Sequence, residues 1–393
     1  MINVAMINTE RTRGGAARIA SLLTESLNEN CDDIDAVLYH CEDSISAAPY
    51  YGLKRFSSRQ INAFRVRLGT KMFDFGVAKQ LVKLTRNADI LHLHNLHGYY
   101  LDWETLLLKW KDRPIVWTWH DQWGATGRCG FAIDCEEWMQ GCPKCPHLDY
   151  YPKTYIDQAA REYQEKSRLY AELPDLKVVS PSGWLANIAL QRGFTAENVF
   201  VIPNPVDTSS FRARSMKECR KTLGLPEDRF IALFVSADCN DPRKGYADFA
   251  KITEGIPAIF SIAVGRNPSK KSPHIFHAGE IKEKLSIYYS AADIMIFTSR
   301  ADNYPNTIIE CLLSGTPILA YSVGGVASQL TVEDHCQLTD PGNPDIARTH
   351  LLKILDRGGK TSEMATSLSK YAEKKWAKNA IAEQYRKLYK KLI

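Results

Sequence analysis

Short apolar runs recur along this chain, and the stretches between them carry apolar residues at helical spacing. Ile2 to Ile7 reads as a buried strand. After a polar loop, Gly14-Gly15 opens a helix with a stripe of Ala17, Ile19, Ala20, Leu22 and Leu23. Further strands follow at Ala36 to Tyr39, Ala88 to His94, Pro114 to Trp119, Lys177 to Ser180 and Val199 to Ile202. The second half repeats the rhythm at Arg229 to Ala237, Ala258 to Gly265, His274 to Gly279, Ala292 to Ser299 and Pro317 to Tyr321. Strands alternating with helices predict an α/β protein of two doubly wound, Rossmann-like domains. The expected divisions are 1–207, 208–372 and a terminal amphipathic segment, 373–393, carrying Trp376, Ile381, Tyr385, Leu388 and Leu392.

The most informative stretch is Thr298 to Gly325, a loop, a short helix, a strand and a glycine turn. Asn303, Pro305 and Asn306 supply residues suited to a helix start. Ile308, Ile309, Leu312 and Leu313 give the helix a buried side, Gly315 stops it, and Pro317 prevents a restart. Asp302 stands in the entry loop, and Glu310 stands in a helix otherwise apolar there. A buried carboxylate is costly without hydrogen-bond donors. Two adjacent sugar or ribose hydroxyls are such donors. A satisfied Glu in an ordinary α/β unit is the plainer alternative.

This stretch resembles the acid-x7-acid signature of retaining glycosyltransferases of family 4, which have the GT-B architecture. Ser299, Pro305, Gly315, Pro317 and Gly324-Gly325 fit the same pattern, although the family usually has Glu where this chain has Asp302. The resemblance implies that Glu310 holds ribose hydroxyls and that Asp302, with the Asn303 and Tyr304 amides, faces the transferred sugar. Pro305 and Asn306 belong to the same donor-binding set. Arg243-Lys244-Gly245, at a strand-to-helix turn, matches the family's donor-diphosphate clamp, with Arg as a planar fork and Lys as a point charge. The Gly14-Gly15 turn matches a loop facing the diphosphate and the acceptor, and Gly279 and Ile281 match the loop that reads the base. His120 matches a histidine set against the donor sugar; a satisfied histidine at a strand end is its alternative. The last helix is expected to cross back to the first domain, and the two domains to face a cleft.

Composition narrows the surroundings. The chain has 393 residues, 45% hydrophobic and 24% charged, and a net charge of only +5. That is the composition of a globular protein, and the mild charge argues against a nucleic-acid partner. No run of about 18 apolar residues predicts a membrane span. The start of the chain lacks signal-peptide features, so cytoplasmic residence is the expectation. From Tyr50 to Lys83, Lys54, Arg55, Arg59, Arg65, Arg67 and Lys71 alternate with Phe56, Phe64, Phe73 and Phe75. Such a stretch suits an anionic membrane surface, or a solvated basic face over core aromatics. The resemblance, to enzymes many of which use lipid-linked acceptors, favours peripheral contact at the inner face of the plasma membrane.

Cys129, Cys135, Cys142 and Cys145 crowd into the segment 127–146. They end in a C-x2-C knuckle, which points to a structural zinc closed by four thiolates. Free thiols and a disulfide are the alternatives. A subset of the family carries a similar insert after its His-Asp pair.

Taken together, the resemblance implies a retaining, metal-independent hexosyltransferase that needs no cofactor for catalysis. Its donor would be a nucleotide-diphosphate sugar, with a UDP-sugar favoured and UDP-glucose first. Its acceptor would be a glycan or lipid-linked saccharide in polysaccharide biosynthesis. A GT-B nucleotide-sugar epimerase and a non-catalytic sugar-nucleotide-binding protein are the competing readings.

Overall fold

The computed structural model describes residues 1–42, 46–54, 59–70, 76–281, 283–330 and 336–393. Of the basic-aromatic stretch, Arg55, Phe56, Lys71, Phe73 and Phe75 lie outside the described residues. The chain divides into two compact units, Met1–Pro205 with Lys378–Ile393, and Val206–Ala377.

The first unit is built on β1 (Ile2–Ile7), β2 (Ile34–His40), β3 (Ser46–Ala47), β4 (Tyr50–Gly52), β5 (Ile90–Leu93), β6 (Ile115–Thr118), β7 (Lys177–Ser180) and β8 (Val199–Val201). They form one sheet in the order β3-β4-β2-β1-β5-β6-β7-β8, parallel except for the β3–β4 pair. Side chains alternate across a strand, so each strand feeds two cores. Ala5, Ile7, Leu91, Leu93 and Trp117 pack on one face. Val4, Met6, Ile90 and Val116 pack on the other, together with Ile381, Tyr385, Leu388 and Tyr389 from the chain's end.

The second unit contains β9 (Phe230–Asp238), β10 (Ile259–Arg266), β11 (Ile275–Gly279), β12 (Ile294–Phe297), β13 (Ile318–Tyr321) and β14 (Gln337–Thr339). Their order is β11-β10-β9-β12-β13-β14, all parallel. Parallel strands buried on both faces read as continuous apolar runs, which is why β9, β10, β12 and β13 were plain in the sequence, whereas the three-residue β14, partly exposed, was not read there. Helices Met216–Leu223, Tyr246–Thr253, Asn306–Leu313 and Ser362–Trp376 contribute to one continuous core.

Two local expectations are corrected. The terminal amphipathic segment is two helices, Ser362–Trp376 and Lys378–Lys390, broken at Ala377. Ala377 leaves helical geometry at ψ 131° and bridges Val206, so the break falls where the chain passes between units. The Asn306–Leu313 helix has no side-chain cap either. Pro305 occupies the capping position and has no side-chain acceptor to offer.

Candidate active site

In parallel sheets the loops at the carboxyl ends of the strands collect on one edge. On the first unit these are the loops after β1, β5 and β6, and Thr9 stitches the first to the second. Its hydroxyl donates to the carbonyls of Asn95 (3.1 Å) and His97 (2.8 Å). Gly14 sits at φ 91° just ahead of helix Gly15–Asn30, a conformation that favours glycine, and the space beside it is open.

His120 lies in the loop after β6, joined to a buried neighbour: His94 Nδ1 is 2.9 Å from His120 Nε2. The rings stack at 5.2 Å. Burial lowers His120 to about 4, and His97 adds to the effect against the opposing pull of Asp121. Burial, with His92 and His120 nearby, also holds His94 well below the ordinary range. His120 is thus a neutral imidazole near pH 7. Asp121, the next residue, is 2.8 Å from His97 Nε2. Burial pushes its carboxyl up, but the attraction and hydrogen bond of His97 prevail and lower it.

His92 shares a face of β5 with His94 and is fully buried. Its Nδ1 meets the Tyr389 hydroxyl at 2.6 Å and its Nε2 the Thr118 hydroxyl at 2.8 Å. Burial lowers it to about 3.

On the second unit, Arg243 and Lys244 lie in a 3-10 turn, Pro242–Lys244, one residue before helix Tyr246–Thr253. Gly245 follows at φ 72°. A Cβ there would come within 2.0 Å of the Thr298 carbonyl oxygen, so only glycine lets the two loops meet. Thr298 donates to the Gly245 carbonyl (2.8 Å) and Ser299 to the Arg243 carbonyl (3.2 Å). This stitching carries Asp302 to the cations. Lys244 Nζ donates to Asp302 Oδ2 at 2.5 Å, and an Arg243 nitrogen lies 3.7 Å from the same oxygen. Arg243 also donates to the Ala301 carbonyl (2.9 Å) and to Asp241 (3.0 Å).

Gly324, at φ 52°, lies against the Asp302 carbonyl, where a Cβ would be only 1.8 Å away. The Gly325 amide donates to the Asn303 carbonyl (2.7 Å), and Gln329 donates to the Pro305 carbonyl (3.1 Å). Tyr304 is anchored through its hydroxyl, which accepts from Trp376 Nε1 at 2.7 Å. Asn306 begins the helix, and Glu310, 3% exposed, accepts from the Tyr289 hydroxyl at 3.2 Å. Gly279 ends β11 at φ 76°, and the Ile281 side chain packs on the core.

Of the sequence-predicted residues the structure brings Arg243 and Lys244 onto Asp302, and it distributes the others between the two units. Gly14, Gly15 and His120 belong to the first, and Arg243, Lys244, Gly279, Ile281, Asp302 to Asn306 and Glu310 to the second. Sequence reasoning missed the His94–His120 bond, the His97–Asp121 pair and Tyr289 as the partner of Glu310. Strand periodicity places His92 and His94 on one face, but their partners come from distant segments.

Cys129, Cys135, Cys142 and Cys145 are free thiols, and burial raises Cys142 to about 11. Among the described residues no group of three or more His, Cys, Asp or Glu side chains is disposed to hold a metal ion. The same residues include no helix long and apolar enough to cross a membrane.

The family model described as Glycosyltransferase Family 4 matches residues 13–210, and that of glycosyl transferases group 1 matches residues 266–375. WcaC of Escherichia coli (strain K12), a provisionally assigned colanic acid biosynthesis glycosyl transferase, is 28% identical over 382 residues. The match covers 88% of this chain and 92% of that protein. The sucrose-phosphate synthase of Thermosynechococcus elongatus superposes with a TM-score of 0.73 at 18% identity, covering 100% of this chain and 99% of that one. Anabaena Alr3699/HepE, crystallised with UDP-glucose, superposes at 0.69 with 15% identity over 100% of both. At these identities the structural likeness speaks for the fold, two Rossmann-like α/β domains of the GT-B kind.

Proposed function

The chain belongs to Glycosyltransferase Family 4, and from that premise we propose a retaining, metal-independent hexosyltransferase that draws its sugar from a nucleotide diphosphate. The observation that carries this reading is the Arg243, Lys244 and Asp302 cluster, with Asp302 eight residues ahead of the buried Glu310. Breaking a glycosyl–phosphate bond leaves negative charge on the departing diphosphate. Fixed cations in a low-dielectric site stabilise that charge. An ammonium has three donors, so Lys244 can hold Asp302 and a phosphate oxygen together. Glu310 suits a ribose diol, since a carboxylate takes up to about four hydrogen bonds and Tyr289 supplies one. Asp302, with the Asn303 and Tyr304 amides, Pro305 and Asn306, is assigned to the transferred sugar. Gly279 and Ile281 are assigned to the base, and Gly14-Gly15 to the diphosphate. His120, neutral near pH 7, serves as a hydrogen-bonding group for the sugar.

None of these roles supplies a carboxylate nucleophile. The reaction then proceeds by same-face attack through an oxocarbenium-like state, with the leaving diphosphate taking the acceptor's proton. UDP-glucose is the favoured donor, supported by the like-folded HepE structure that holds it. A glycan or lipid-linked saccharide is the favoured acceptor, supported by the colanic acid assignment of WcaC. Work at the inner face of the plasma membrane, from the cytoplasm, follows from such an acceptor. The test is product stereochemistry. Proton NMR of the product from 13C-labelled UDP-α-glucose and a cell-extract saccharide fraction should show an α-linkage. A β-linkage contradicts retention.

For the cysteine segment the proposal is a structural zinc, supported by four thiols within seventeen residues. The placed side chains do not yet form a coordination site, so binding would draw them together and deprotonate them. Zinc analysis of the purified chain should give about one ion per chain, and a metal-free chain of undiminished stability rejects the assignment.

A further inference from the structure

Two buried polar atoms beside His120 are left over from the hydrogen bonding of the first unit. His94 and Trp119 are 1% and 2% exposed. His94 Nδ1 meets His120, but His94 Nε2 and the Trp119 indole nitrogen Nε1 have no hydrogen-bond partner among the described residues. Burying a polar group without a partner costs its full desolvation. Both side chains line one small cavity of about 10 Å³, which His120, Thr118 and Asp121 also border. One water needs about 10–15 Å³ and two to four polar partners, so the space admits a single water and nothing larger. Thr118 and Asp121 are already engaged. The Thr118 hydroxyl bonds His92 (2.8 Å) and Tyr385 (3.0 Å). The Asp121 carboxylate bonds His97 (2.8 Å) and the Trp123 amide (2.9 Å).

The hydrogens of such a water follow from the chemistry of its neighbours. An indole N–H only donates, so a water paired with Trp119 accepts there and keeps both of its own hydrogens to give. Burial, with His92 and His120 nearby, keeps His94 neutral. One of its ring nitrogens therefore carries a hydrogen and the other accepts. With the hydrogen on Nε2, the water would accept from both side chains and find no acceptor in either. With the hydrogen on Nδ1, Trp119 donates to the water, the water donates to His94 Nε2, and every atom of the set is paired. The 2.9 Å contact then runs from His94 Nδ1 to His120 Nε2. Neutral His120, its Nε2 lone pair taken, carries its own hydrogen on Nδ1.

We propose that one buried water, held between Trp119 Nε1 and His94 Nε2, fixes the tautomer of His120, with Nε2 as acceptor and the hydrogen on Nδ1. His94 and Trp119 are thereby positioning residues, and any hydrogen bond that His120 makes to a sugar hydroxyl is a donation from Nδ1. Naming a sugar as the partner rests on the transferase reading above; the tautomer does not. The experiment is long-range 1H–15N NMR of the full chain labelled at histidine and tryptophan, near pH 7, with His94→Gln and His120→Asn for assignment. His120 should show a protonated Nδ1 and an unprotonated Nε2, and the Trp119 indole proton should show cross-relaxation to a bound water. Trp119→Phe removes the N–H, so part of the His94 hydrogen should move to Nε2 and the His120 Nε2 resonance should shift towards the protonated form, with circular dichroism confirming the fold. A protonated His120 Nε2 in the native chain overturns the proposal. So does a Trp119 indole proton with no water contact, or an unshifted His120 in folded Trp119→Phe. Should that variant not fold, the native-chain spectra decide by themselves. Release of UDP from UDP-glucose by the unmodified chain, measured separately, reports on the transferase reading alone.

Discussion

Buried histidines set the chemistry of the first unit residue by residue. His92 and His120 are lowered to about 3 and about 4 from 6.5, in both cases chiefly by burial. Between pH 6.5 and 4 the unfolded chain therefore binds protons that the folded chain refuses. Stability from these groups is full above 6.5 and is lost as pH falls through the folded values. A shift of one pKa unit is about 1.4 kcal/mol, so the loss reaches a few kcal/mol for each group. The melting temperature should fall steeply from pH 6.5 to 4, and His120→Asn should flatten part of that slope. Equal slopes in the two proteins, followed by calorimetry, would show that His120 binds its proton as readily in the fold as in the unfolded chain. On the second unit the residue that departs from the resembled pattern is held by a cation. Asp302 is one methylene shorter than the usual Glu, and it sits on Lys244 at 2.5 Å.

At the scale of elements, charge also fixes packing. Arg220 on helix Met216–Leu223 meets Asp293 at 2.6 Å, with the two side chains 4% and 8% exposed. Its other nitrogens donate to the carbonyls of Ala291, Glu227 and Arg229, while Asp293 also accepts the Ile231 amide at 2.6 Å. The pair thus anchors that helix to the entries of β9 and β12. Removing one partner strands a buried charge, which costs about 3–5 kcal/mol. Asp293→Ala should lower the urea midpoint accordingly, and a loss under about 1 kcal/mol would mean that water reaches the arginine. Nothing in the sequence announced this pair. The partners are 73 residues apart, and a lone Arg on a basic helix reads as solvated.

Across the whole molecule, what could be read from the sequence was local. Parallel strands buried on both faces gave continuous apolar runs. The Thr298 to Gly325 stretch carried its glycines where the backbone closes on itself, as at Gly324. The residues Arg243 to Gly245 were singled out by their resemblance to the family's donor-diphosphate clamp, and Gly245 proves to lie where the backbone meets the Thr298 carbonyl. What stayed hidden depends on segments distant in the chain. Tyr389 reaches His92 across 297 residues. The Ala377 break was hidden because a helical stripe continues on both sides of it.

The central claim is that the Arg243, Lys244, Asp302 and Glu310 set holds a nucleotide-diphosphate sugar for transfer. It is tested most directly by nucleotide release from a panel of UDP-, GDP- and ADP-sugars, run on the native chain beside Glu310→Ala. The account predicts slow release from one donor, UDP-glucose first, and its loss in the variant. Tight donor binding without release, even with cell-extract acceptors present, or release undiminished in Glu310→Ala, would contradict it.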